Sequence, residues 1–271
     1  MAAPDFRLRH HAALEKIVLF EYRLTCRTGL HIGTGKSADL AGSDLPVMRD
    51  AAGHPIIPGS SLRGVLRAGI ESFCESLSLN QAVPAPPDGP KLPKGLIDGW
   101  NNTKLTGRLF GVAAREPGGF SFGSRLQISD ARCSSEVSIE LRDGVGICRD
   151  TRTATPNAKY DLEVVPAGTR FDGRIRFKNP ADHELGLLAQ AFWMLDSGLL
   201  LLGGKSARGL GWVQVEVTAP WGMDAQAILE RRPRPAEEAV LGPVEQRLAG
   251  PLAALQELAA ATTATSSSSE K

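Results

Sequence analysis

The chain has 271 residues, of which 42% are hydrophobic, enough for one large domain or a core with insertions that buries real apolar surface. A formal net charge of +1 excludes a protein that coats nucleic acid without selectivity, although basic residues outnumber acidic ones between Arg142 and Lys178. The four cysteines, Cys26, Cys74, Cys133 and Cys148, are too widely spaced for CxxC pairs and too few for a disulfide framework, which argues against a zinc site and against secretion.

From the N-terminus, MAAPDFRLRHHAALEK lacks the apolar core of a signal peptide and no later run approaches a membrane span, so a cytoplasmic protein with no membrane partner is expected. Val18, Phe20, Tyr22, Leu24 and Cys26 alternate with polar residues, the period of a half-buried strand that delivers His31 and a glycine turn at its end. Leu62, Val65, Leu66, Ile70, Phe73 and Leu77 follow helical spacing, with Arg63, Arg67, Glu71 and Glu75 on the other faces. Pro58, Gly59, Ser60 and Ser61 predict a serine-capped start for that helix. Residues 80–107 are rich in Pro and Gly and predict an exposed insertion. Between Ser134 and Phe177, β-like pieces flank the polar CRDTRTATPNAK, which predicts a protruding hairpin or loop. A second helix is expected over Glu184–Leu195, and strands over Leu199–Leu202 and Trp212–Val217. Trp212, Phe192 and Trp193 are assigned to the core. Beyond Trp221, short helices are expected in MDAQAILERR and VEQRLAGPLAALQELAAA, followed by a disordered Ser/Thr-rich tail, so that 1–221 form the main unit and 222–271 an extension. The order of elements predicts an α+β, ferredoxin-like sheet with insertions.

Two glycine-rich loops carry the functional signal. GGKSARGLG at Gly203–Gly211 sets Lys205, Ser206 and Arg208 among four glycines with no acidic residue, so backbone N–H groups and positive charge can converge on an anion. GLHIGTGKSADLAGSDLPV, beginning at Gly29, combines His31, Asp39 and Asp44 in a loop that leads to the helix entrance, where first-turn N–H groups can meet phosphate. Arg63 and Arg67 lie in the first two turns of that helix, where the dipole disfavours cations by up to about 1 kcal/mol each unless an anion is bound. Each loop taken singly suits an ordinary turn. Both contain GKS, but the first glycine of a nucleotide-binding P-loop would fall on Leu30 and on Leu199, and neither motif opens a helix. The phosphates therefore belong to a polymer or another ligand.

GLHIG, the Asp44-to-Val47 segment DLPV, PIIPGSSLRG at Pro55–Gly64, RLFG at Arg108–Gly111 and the closing GGKSARGLG resemble the RAMP superfamily of CRISPR-associated proteins. They are most similar to the repeated backbone subunit that lines the guide RNA in type III effector complexes. The resemblance implies a ferredoxin-like, RRM-related palm, a protruding thumb, copies of the chain stacked on one guide RNA beside other effector subunits, and a complementary target RNA. Position by position it implies guide-backbone contacts by Ser60, Ser61, Arg63, Arg67, Lys205, Ser206 and Arg208. The thumb corresponds to ICRDTRTA at Ile147–Ala154, where Arg149 contacts RNA and Cys148 replaces the aspartate of close relatives. Asp44, just ahead of Pro46-Val47, falls where the family has its catalytic aspartate.

A carboxylate in such a loop can bind Mg²⁺ or another divalent cation through oxygen, or help deprotonate the 2′-hydroxyl that attacks the adjacent phosphate. Either role selects RNA over DNA. Gly42-Ser43-Asp44 before Pro46 equally suits a turn, and Asp39 competes for the role. His31 is expected near the cleavage site, as a helper or as the imidazole base of a metal-free ribonuclease. Three readings stay open: a guide-binding subunit that cuts target RNA at Asp44, the same subunit without catalysis, and a standalone guide-processing endoribonuclease.

Overall fold

The computed structural model describes residues 14–35, 43–79, 104–113, 121–133 and 135–269. The first alternating segment forms β1 (Lys16–Cys26), with Val18, Phe20, Tyr22, Leu24 and Cys26 turned inward. β2 (Ile56–Ile57) leads into α1 (Gly59–Ser76), which buries Leu62, Leu66, Ile70 and Cys74 along one stripe. Then follow α2 (Leu105–Phe110), β3 (Leu126–Ile128), β4 (Ala131–Arg132), the pair β5 (Glu140–Ile147) and β6 (Ala154–Val164), β7 (Arg170–Lys178) and α3 (Asp182–Asp196). A short 3₁₀ turn at Ser206–Arg208 precedes β8 (Val213–Thr218) and β9 (Trp221–Asp224). The chain continues through α4 (Ala225–Leu229), β10 (Leu241–Pro243), α5 (Val244–Arg247) and α6 (Ala249–Ser269).

The result is a mixed α/β architecture built on antiparallel sheets. The main sheet runs β10-β8-β1-β7-β4-β2, with β3 also on β7 and β9 also on β1, and β5–β6 forms a separate two-stranded sheet. On the helix face of the main sheet, the Phe192 ring of α3 stands 6.4 Å from Phe20 and 5.9 Å from Tyr22. Tyr22 lies directly across from Gly173 on β7, where a β-carbon would overlap the phenol ring. Its hydroxyl donates to Ser129 O at 2.9 Å, so a large aromatic is buried without an unmet donor. At the other end of the core Arg125 is wholly buried. It donates to Arg108 O at 3.0 Å, to Asn179 O at 2.8 Å and to the Glu184 carboxylate, which also accepts from Ala181 N at 2.8 Å. That network pins α2 and the end of β7 to the start of α3.

Several expectations are corrected. Residues 80–103 of the predicted insertion lie outside the described residues, but its last part enters α2 and buries Leu105, Thr106 and Gly107, because Leu105, Leu109 and Phe110 form an apolar helical cluster without proline. Leu199–Leu202 forms no strand: it makes one bond of ladder type, Leu202 N to Gly211 O at 2.9 Å, before the glycines turn the chain. Trp212 is not core; the residue is 41% exposed and its indole N–H reaches Asp196 O at 2.8 Å, just ahead of the start of β8. The segment expected to be disordered carries α6 as far as Ser269, the Ala259-Ala260-Ala261 run favouring continued helix. MDAQAILERR begins as β9 before it becomes helical. Among the described residues no helix is long and apolar enough to cross a membrane.

Candidate functional site

Three segments converge on β6. The first is the turn after β1: Leu30 exchanges backbone bonds of 2.9 and 2.8 Å with Val165 at the root of the hairpin. The second is the glycine loop, where Gly204 N donates to His31 O at 2.8 Å and Gly211 N to Gly29 O at 2.9 Å. Gly203, Gly209 and Gly211 have φ of 76°, 81° and 96°, and a β-carbon on Gly203 would strike His31 O, so this close approach requires glycine. The third is the Asp44 segment, which lies alongside β6 as a short parallel addition: Leu45 N donates to Asp161 O and Glu163 N to Leu45 O, both at 3.1 Å.

Asp44 sits at the head of that addition. Its Oδ2 accepts from Asp161 N at 2.9 Å, and Ser43 Oγ donates to Asp161 O at 3.1 Å. Across the hairpin Asp161 faces Asp143 in register. A hydrogen bond shared with Asp143, reinforced by partial burial and by the Asp143 and Asp44 charges, holds the Asp161 carboxyl above the usual carboxylate range. Three carboxylates thus share one edge, which is unfavourable unless a proton or a cation intervenes, and the Lys159 ammonium lies 3.6 Å from Asp143. Among the described residues no group of three or more His, Cys, Asp or Glu is arranged to hold a metal ion. Any divalent cation at Asp44 would therefore take its remaining ligands from outside the described residues.

His31 is 5% exposed, and its Nδ1 lies 2.8 Å from Glu163 O. Because a carbonyl only accepts, Nδ1 carries the hydrogen. Gly33 and Gly204 flank the ring closely. His31 thus brackets the glycine loop against β6, two residues along the strand from the amide that binds Asp44. Asp39 and Lys36 lie outside the described residues.

Lys205 and Arg208 present their cations to the Tyr160 ring of β6, 5.1 and 5.6 Å from its centre. Ser206 opens the 3₁₀ turn between them. Arg149 is exposed in the turn that ends β5, which Cys148 N closes by donating to Thr153 O at 2.9 Å. On β5 Leu141 and Ile147 are each 62% exposed, an apolar surface that no packing among the described residues explains.

The helix entrance is not joined to this cluster by any bond among the described residues. Neither serine caps α1: Pro58 holds the cap position, Gly59 N donates to Asp130 Oδ1 at 2.8 Å, and Ser61 N to Pro58 O at 2.9 Å. Ser60 is exposed and Ser61 half-buried. Arg63 folds back onto Phe110, donating to its carbonyl and lying 5.6 Å from its ring, and partial burial lowers its pKa. Arg67 pairs with Glu71 at 2.8 Å on the helix surface.

Glu163, Asp161 and Tyr160 are the site residues that the sequence reading missed. Glu163 accepts from Val47 N at 2.9 Å and pairs with Arg49 at 3.0 Å, which fixes the Asp44 segment to β6. The alternation of Asp161 and Glu163 with buried Leu162 and Val164 was the available signal, as was one of only two tyrosines in a polar stretch.

The profile of the RAMP superfamily matches residues 23–214. A protein of Methanothermobacter thermautotrophicus named CRISPR system Cms endoribonuclease Csm3 is 29% identical over 217 residues, 74% of this chain and 84% of its own. A protein of the same name from Enterococcus italicus is 30% identical over 207 residues, 69% of this chain and 84% of its own. The one from Methanocaldococcus jannaschii is 47% identical over 55 residues, 20% of this chain and 22% of its own. The chain belongs to the RAMP superfamily, in the same family as these Csm3 endoribonucleases.

Proposed function

We propose that this chain is a guide-RNA-binding backbone subunit of a type III CRISPR effector complex and that it cuts complementary target RNA at regular intervals with Asp44. The observation that carries the reading is the junction on β6, where one strand touches both the cation-bearing glycine loop and the Asp44 carboxylate. We read the main sheet as a ferredoxin-like palm: β8-β1-β7-β3, all antiparallel, with α1 after β1 and α3 after β7, is the order a split βαβ pair generates. Hairpin β5–β6 is then the thumb, and its exposed Leu141, Val145 and Ile147 are available to displace a base.

In this reading Lys205, Ser206, Arg208, Ser60, Ser61, Arg63 and Arg67 hold guide phosphates, and Arg149 meets RNA from the thumb. Phosphate contacts fix register and carry no sequence information, so base pairing to the guide selects the target. At the scissile step the 2′-hydroxyl gives its proton to the Asp44 carboxylate. The 2′-oxygen–phosphorus bond forms, the bond from phosphorus to the 5′-oxygen breaks, and the departing oxygen takes a proton from water. A bound Mg²⁺ would neutralise charge growing on the phosphate. Asp161 N–H holds one carboxylate oxygen of the exposed Asp44, and the other is the one assigned to the 2′-hydroxyl proton. His31 and Glu163 support the loop that carries the carboxylate. The partners are the guide RNA, the complementary RNA, further copies of this chain and other effector subunits.

The same Asp44–Asp161 bond favours a second reading, a structural guide-holding subunit in which Asp44 merely ties its loop to β6. Cleavage of complementary RNA by the guide-loaded assembly, with Mg²⁺ or EDTA, separates the two. Asp44→Asn keeps an acceptor for Asp161 N–H and removes the base. Regularly spaced cuts lost in Asp44→Asn and in EDTA, with guide binding intact, support the catalytic reading. Undiminished cutting by Asp44→Asn overturns it, and tight target binding without cuts in the wild type supports the structural one.

A further inference from the structure

The two cations of the glycine loop share one aromatic partner. Of the acidic residues on β5, Glu140 pairs with Arg142 at 2.7 Å and Asp143 with Lys159 at 3.6 Å. Among the described residues neither Lys205 nor Arg208 forms an ion pair. An aromatic face attracts a cation through its quadrupole but carries no net charge. Two positive charges therefore lie against one ring without a counter-ion among the described residues, in a loop whose Lys205 takes φ 63° to get there. That arrangement is set for an anion.

The ring is itself held in place. Tyr160 lies across from Gly144 on β5, and any β-carbon at Gly144 would overlap the phenol. Leu162 of the same strand face packs with Leu210 from the glycine loop, with Tyr160 against them. The Tyr160 hydroxyl is buried without a hydrogen-bond partner among the described residues, where the ring and not the hydroxyl makes this residue's contacts. The next residue along the strand, Asp161, gives its N–H to Asp44. One dipeptide of β6 therefore touches the cations on one side and the carboxylate on the other.

We propose that Tyr160 is a positioning residue: its ring presents Lys205 and Arg208 to an RNA phosphate, and the rigid Tyr160–Asp161 link sets the Asp44 segment relative to the strand so gripped. The inference rests on the guide-binding reading given above. It predicts that losing the ring weakens RNA binding through the two cations, and slows cutting even when guide is saturating.

The test uses the full chain with a labelled single-stranded guide RNA. Binding is measured for wild type, Tyr160→Leu, Tyr160→Phe, the pair Lys205→Gln/Arg208→Gln, and that pair combined with Tyr160→Leu. Loss of two cation–π contacts predicts an affinity drop of about fivefold to thirtyfold for Tyr160→Leu, with a shallower salt dependence. Tyr160→Phe should stay within about twofold of wild type, and Tyr160→Leu should cost less than about twofold once both cations are gone. At saturating guide, complementary RNA is cut more slowly by Tyr160→Leu and at the wild-type rate by Tyr160→Phe. Misfolding would not produce that rescue or that non-additivity. The proposal is overturned if Tyr160→Phe falls with Tyr160→Leu, or if Tyr160→Leu costs as much without the cations as with them. A wild type that binds guide but does not cut removes only the catalytic reading, since the affinity cycle still decides Tyr160. A wild type that binds no guide overturns both.

Discussion

Arg125 and Arg208 are the same residue in opposite circumstances. Arg125 is buried between α2, β7 and α3, with two carbonyls and one carboxylate closing around its guanidinium. Arg208 is exposed on a glycine loop, and an aromatic face is its neighbour. The core satisfies its charges from within, whereas the side built on β5–β6 leaves, among the described residues, two cations without a counter-ion and several apolar side chains exposed. A functional surface is recognisable here by what the chain leaves unmet.

The sharpest way to test the contrast is to break the core pair. Glu184→Ala leaves Arg125 charged, buried and short of its counter-ion, and should cost about 3–5 kcal/mol in a urea unfolding titration. Replacing Gly173 by Ala drives a methyl into the Tyr22 ring, and should cost about 1–3 kcal/mol by displacing Tyr22. Neither change touches β6, so per folded molecule guide affinity should stay as in the wild type. A variant that kept its stability while losing guide affinity would dissolve the distinction between the two regions. On the other side, Lys205→Gln with Arg208→Gln should move unfolding by less than about 0.5 kcal/mol, as surface changes do. The same pair should lower the slope of log affinity against log salt by about 1.4, two phosphate contacts on a single strand. An unchanged slope would mean that neither cation meets phosphate.

The core was the legible half. β1 and α1 followed from hydrophobic period because each buries one face, and the hairpin followed from a polar stretch between β-like pieces. The glycine loop was legible because few other sequences combine left-handed turns with cations. The partners of those groups were not. That Asp44 meets Asp161, or that Lys205 meets Tyr160, depends on which segment lies beside β6, and the parallel pairing of Leu45 with Leu162 leaves no periodic trace. Trp212 was misread because aromatic character marks burial only on average, and here the ring falls just before its strand begins. The serines at the start of α1 looked like caps, but Asp130, distant in sequence, supplies the acceptor for Gly59 N instead.

The carboxylate edge sharpens the contrast through pH. Asp161 has a raised pKa because it shares a hydrogen bond with Asp143. Its folded form thus binds a proton more tightly than the unfolded chain, so stability from this pair is complete below the unfolded carboxylate pKa and is lost as pH rises through the folded value. Hydrogen exchange at Asp161 N–H, the group that binds Asp44, should accelerate over that window beyond the intrinsic base-catalysed rate. Asp143→Asn should flatten the excess. An excess unchanged in Asp143→Asn would show that the pair does not govern this end of the hairpin.

The smallest effect concerns the cysteines, which divide between the two regions. Burial pushes Cys26 and Cys74 up to about 12, and Cys133 is buried as well. Cys148, at the tip of β5–β6, is partly exposed, and hydrogen bonds from the Thr151 side chain and from the Thr151 and Asp150 backbone lower its pKa. The thiolate is the nucleophile, so iodoacetamide near neutral pH should modify Cys148 first and leave the other three intact until the chain unfolds. Because Cys148 stands next to Arg149 in the turn proposed to meet RNA, bound guide and target should slow that alkylation, with no change at Cys26 or Cys74. Equal labelling of Cys148 with and without RNA would place the hairpin tip outside the complex. Protection at Cys148 alone would tie the unmet groups of this region to the nucleic acid that satisfies them.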